Sequence, residues 1–151
     1  MRILSTLAFL IATCPGIAAA DTAKLCSGLA AVLVEGSGNG DALRRVAPEL
    51  TETPAVCGQS MGVGGAMSTH CRWAFAYRDP RAAAAYRALV TDLAHCVGPE
   101  QVTANAEDKA VNHPDTYDLR LMAITGGTAG ISLKDKAALQ QTLVFLRIAP
   151  Q

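Results

Sequence analysis

Five cysteines and three histidines are the residues of this chain whose chemistry could set its function. A thiolate is a nucleophile or a metal ligand, a neutral imidazole is a base or a metal ligand, and two thiols in an oxidising compartment form a structural bridge. Spacing selects among these. The chain has no C-x-x-C, no H-x3-H and no C-x-x-C-H run, so thioredoxin-type redox chemistry and c-type haem attachment lack their motifs. His70 precedes Cys71 and His95 precedes Cys96, which keeps a Cys2His2 zinc or copper site as an alternative reading. Against it, a strand through this segment points His70 and Cys71 to opposite faces.

Hydrolytic chemistry needs a nucleophile, a base and an orienting group together. The chain holds no G-x-S-x-G and no H-E-x-x-H, and apart from Glu107-Asp108 its carboxylates are scattered singly. His113, in Asn112-His113-Pro114-Asp115, would need a serine brought to it, and a proline turn accounts for that cluster without chemistry. The expectation is a protein without a catalytic site and without a cofactor.

The address is the clearest signal. Met1-Arg2 is a short positive start, Ile3 to Ala12 is apolar, and Ile17-Ala18-Ala19-Ala20 places small residues where a signal peptidase reads them. Residues 1–20 therefore read as a cleaved secretion signal, and 21–151 as one exported domain, periplasmic or secreted. The apolar run is too short to span a bilayer, and Pro15-Gly16 interrupts it. Ile11-Ala12-Thr13-Cys14 offers the alternative of lipidation at Cys14 and a membrane-anchored protein; Thr13 and Pro15 depart from that pattern.

The whole chain of 151 residues carries 13 basic and 13 acidic side chains. Loss of Arg2 with the signal leaves 12 against 13, a net charge of -1, which excludes the basic surplus of a nucleic-acid binder. The mature chain retains Cys26, Cys57, Cys71 and Cys96, an even number that predicts two disulfides. Arg78 back to Cys71 spans about 23 Å of strand, and Pro80 to Cys96 about 24 Å of helix. A helix folding back over its own strand would join Cys71 to Cys96 and leave Cys26 for Cys57.

Elements follow from periodicity. Leu25, Leu29 and Val32-Leu33 make a helical stripe closed by Gly36, and Asp41 starts a short helix that Pro48 ends. The segment from Thr51 to Met67 is polar and glycine-rich, with room for a short edge strand at Met61–Gly65. Ser68 to Arg78 alternates, with Cys71, Trp73, Phe75 and Tyr77 on one face. Asp79-Pro80 then opens a helix with Tyr86, Leu89, Val90, Leu93 and Val97 inward, ended by Gly98-Pro99. Gly98 to Asp115 has no periodicity. The last third reads as three strands, with Gly126-Gly127 as a hairpin signal.

This order predicts a two-layer α+β domain, with helices on one face of a small, mainly antiparallel sheet of about four strands. The strand before the crossover helix and the one after it would be parallel if adjacent. The uncovered face would carry Arg72, Arg78, Asp118, Arg120, Ser132, Lys134 and Arg147, with Met122 and Ile124 among them. Such a cationic patch with apolar spots suits an acidic envelope protein, an anionic glycan or a second copy of the chain. The expected function is binding.

Overall fold

A computed structural model describes residues 19–34, 40–52, 54–61, 65–98, 102–104 and 117–151. Helix α1 covers Ala19–Val34 and α2 Asp41–Val46; strand β1 runs Val56–Met61 and β2 Met67–Ala76; α3 is Pro80–Val97; β3 (Val102–Ala104), β4 (Tyr117–Ile124), β5 (Gly127–Lys136) and β6 (Gln141–Pro150) complete the order. The expectations for residues 1–18, including Cys14, and for His113 lie outside the described residues.

The α+β class and the two disulfides expected from the sequence are present, and the sheet is larger than expected. Six strands lie in the order β1-β2-β6-β5-β4-β3, and every neighbouring pair is antiparallel. The anticipated parallel neighbours do not meet, because β6 and β5 stand between β2 and β4. In β6 three consecutive residues, Thr142, Leu143 and Val144, are buried, so Leu143 is buried on the face opposite the helices. Between β4 and β5 the turn passes through Gly126 at φ 84°, a conformation that glycine adopts without steric cost.

All three helices pack on the face that presents Cys71, Trp73 and Phe75. From β6, Val144, Leu146 and Ile148 join them; from β5, Ala129 and Ile131; from α1, Leu25, Leu29 and Val32; from α3, Ala82, Tyr86, Leu89 and Leu93. Each large apolar side chain sealed here contributes roughly 1.5–3 kcal/mol. Trp73 is also tethered, its indole Nε1 donating to the carbonyl of Pro48 at 3.1 Å. Asp79 caps α3 by accepting from the Arg81 amide at 2.9 Å, and Pro80 follows it with the backbone angle a first helical turn requires.

The bridges differ from the expected pairs: Cys26 bonds Cys96, and Cys57 bonds Cys71. Two facts of packing explain this. The β1–β2 hairpin sets Cys57 directly opposite Cys71, with Cα atoms 4.0 Å apart. Meanwhile α3 lies beside α1, where Thr22 donates to Asp92 at 3.1 Å, one helical turn before the Cys26–Cys96 bridge on both helices. The two helices therefore run side by side in the same direction, and Cys96 faces α1 rather than the strand that precedes α3.

Candidate functional site

Among the described residues no helix packs on the other face of the sheet; Ser68, Ser132 and Leu143 on it are buried, while Arg72, Lys136 and Arg147 are exposed. Directly paired residues share a face, so the register assigns each side chain. Arg72, Phe145, Ser132 and Leu119 form one row across β2, β6, β5 and β4; His70, Arg147, Gly130 and Leu121 form the next. Lys134 pairs with Leu143 in a third row, and Lys136 with Gln141 at the sheet end. The described strands hold two carboxylates, Asp118 and Asp135, and both are on the helix side, since Arg120 and its strand mate Asp118 are in phase with Ile131, and Asp135 pairs with Thr142. The uncovered face thus carries cations and no strand carboxylate.

The structure brings Arg72, Lys134, Ser132 and Arg147 together on this face and separates the other members of the expected patch. Arg120 and Asp118 lie on the opposite side, ion-paired at 2.8 Å, with Met122 fully buried beside them in phase. Alternation alone cannot phase β4, because Leu119 and Leu121 on one side are as apolar as Met122 and Ile124 on the other. Its contact with Ala129 and Ile131 decides. Arg78 has left the sheet: it sits in the turn before α3 at φ 58°, its guanidinium 3.4 Å from the buried Asp135. There its amide donates to Thr142 Oγ1 at 2.7 Å, and Thr142 donates to Asp135 at 2.6 Å. These three residues fasten the β2–α3 turn to the β5–β6 hairpin.

The strongest local geometry is around His70. Arg147 Nε donates to Ser68 Oγ at 2.8 Å, and Ser68, fully buried, in turn donates to the Ser60 carbonyl at 3.2 Å. The arginine is therefore held at its neck, and the residue is exposed. His70 leans over bare backbone: a Cβ placed at Gly58 would meet only its Cε1, at 4.0 Å. Partial burial and the charges of Arg72 and Arg147 hold this imidazole below its usual 6.5. Across the same face, Lys134 Nζ stands 5.6 Å from the Phe145 ring centre, within cation–π range.

The metal reading loses its geometric basis. It required a Cys71–Cys96 bridge to join two imidazoles, whereas both bridges pair differently and occupy all four sulfurs. His70 is on the uncovered sheet face and His95 is exposed on α3, across the sheet. Among the described residues no group of three or more metal-ligating side chains converges. A cleft of about 280 Å³ between α1 and the segment after α2 is lined by Lys24, Arg44, Pro48, Glu49 and Pro54. No described helix is long and apolar enough to cross a membrane.

Sequence reasoning missed His70 and Ser68 as members of the cationic face. The alternation of β2 already set them in phase with Arg72, but Arg147 could join them only once the β2–β6 pairing was known. Compared with family models, curated proteins and solved structures, the chain matches none.

Proposed function

We propose that this chain is an exported, periplasmic or secreted protein that acts without catalysis, by binding an anionic envelope partner on its uncovered sheet face. One observation carries this reading. Arg72, Lys134, Lys136 and Arg147, with His70, share that face with no strand carboxylate among the described residues, in a protein of nearly balanced total charge. A segregated charge of this kind steers association and selects partners of opposite sign. The apolar spots are Phe145, Leu119 and Leu121, which give such an interface area to bury. Two disulfides are what an oxidising compartment favours, and they support the export reading.

Two experiments test it. Fluorescent poly-L-glutamate and dextran sulfate, titrated by anisotropy at low and moderate salt, report binding to acidic protein and acidic glycan chemistry. Binding of either that weakens with salt and is lost on Arg72→Glu is expected; no binding of either refutes the reading. Intact mass of unreduced protein from its own envelope is expected to show a chain starting at Asp21 without the hydrogens lost in two bridges. Retention of residues 1–20, or lipid at Cys14, overturns the soluble exported form.

A further inference from the structure

The cationic face is not uniform, and its β1–β2–β6 end has the parts of a built subsite. Arg147 is exposed, and its Nε is fixed to a fully buried hydroxyl, Ser68, which leaves its two terminal nitrogens to a ligand. A guanidinium presented in this way matches two oxygens of a tetrahedral anion. Arg72, two residues along β2 from His70, is exposed. Between them, His70 lies against the missing side chain of Gly58, where only the imidazole Cε1 approaches a Cβ position. Among the described residues the groups facing His70 are Arg72 from its own strand, Arg147 from β6, and Gly58 and Ser60 from β1, none of them a carboxylate.

We propose that His70, Arg72 and Arg147, the last braced by Ser68, form a preorganised subsite for a tetrahedral dianion, a sulfate or phosphate group, and that the site fills more tightly as His70 takes up a proton. This deepens the binding reading above and rests on it. Without an anion, partial burial and the two nearby guanidiniums disfavour imidazolium. A bound dianion reverses the sign of the local field, so protonation and binding reinforce one another by linkage.

Sulfate keeps its double charge across the neutral range, so it isolates the histidine from the titration of the ligand. The test is an NMR titration of the disulfide-bonded protein with sodium sulfate at fixed ionic strength, at pH 5.5 and 7.5, following the His70 ring signal. Sulfate is expected to bind about tenfold more tightly at the lower pH and to raise the His70 midpoint by about one unit. His70→Gln should keep binding but lose its pH dependence, and Arg147→Ala should weaken sulfate about tenfold. Inorganic phosphate at pH 7.5 compares the two ligand classes: tighter phosphate assigns a phosphoryl group, tighter sulfate a sulfuryl one. An unmoved His70 midpoint, or shifts spread evenly over all basic residues, overturns the subsite. If polyglutamate or dextran sulfate binds and neither small anion does, the subsite fails alone; if nothing anionic binds, the reading beneath it fails as well.

Discussion

The two faces of the sheet are built from the same strands and hold opposite kinds of chemistry. The helix side carries both disulfides, the tryptophan, the two strand carboxylates and nearly every fully buried apolar side chain. The other side carries arginines, lysines and a histidine around a few apolar residues. Alternation along a strand lets one sequence serve both ends, because successive side chains point to opposite faces. Stability is therefore concentrated on one side, and the other is free to be charged. Substitutions on the helix side should change stability, and those on the uncovered side should change binding.

The largest expected break is Trp73→Ala. It opens a cavity in the core on the helix side of the sheet and strands the Pro48 carbonyl, at a cost of about 3–5 kcal/mol in chemical denaturation. Next come the bridges. Replacing Cys26 and Cys96 by alanine releases a loop of 70 residues, and the Cys57–Cys71 pair closes one of 14. Chain entropy then gives losses of roughly 4 and roughly 3 kcal/mol, so the α1–α3 bridge should matter more in the same denaturation experiment. Thr142→Val removes the hydroxyl between the Arg78 amide and Asp135 and should cost about 1–3 kcal/mol, read as a lowered melting temperature.

Across the sheet the scale changes. Arg72→Ala, exposed and without an ion pair among the described residues, should alter stability by less than about 0.5 kcal/mol while weakening polyglutamate or dextran sulfate binding. A destabilisation as large as that of Thr142→Val would erase the distinction between the faces. The smallest effect is one of pH. His70 is held below its usual 6.5 in the folded protein, so the unfolded chain protonates first. Its neutral form adds no penalty above about 6.5, and stability falls as the pH drops below that value. His70→Gln should flatten this part of the melting-temperature profile between pH 7 and 5.

Much of the helix side was legible in the sequence. Cys71, Trp73 and Phe75 alternate in a run bounded by Asp79-Pro80, and the α3 stripe of Tyr86, Leu89 and Leu93 has unbroken helical spacing; both are local signals that the structure retains. Three features depended on distant partners. β1 was obscured because Gly58, Gln59 and Ser60 dilute its alternation, and only pairing with β2 makes it a strand. The disulfide pairs turned on α3 lying beside α1, which the sequence of either helix does not state. The phase of β4 turned on its register with β5, since it has apolar residues on both sides, and this moved Arg120 and Asp118 away from the candidate site. Arg72 and Lys134 were legible because their own strands have one apolar face; His70 and Ser68 required Arg147 to be brought beside them.

The central claim is that the uncovered sheet face is the binding surface. Its most direct test is an amide-resolved NMR titration of the isotopically labelled, disulfide-bonded protein with poly-L-glutamate and, separately, dextran sulfate. The account predicts shifts concentrated at Ser68, His70, Arg72, Lys134 and Arg147 with either polymer, reversed by salt, while α1, α2 and α3 stay unchanged. Shifts concentrated on the helices, or no shift with either polymer, would contradict it.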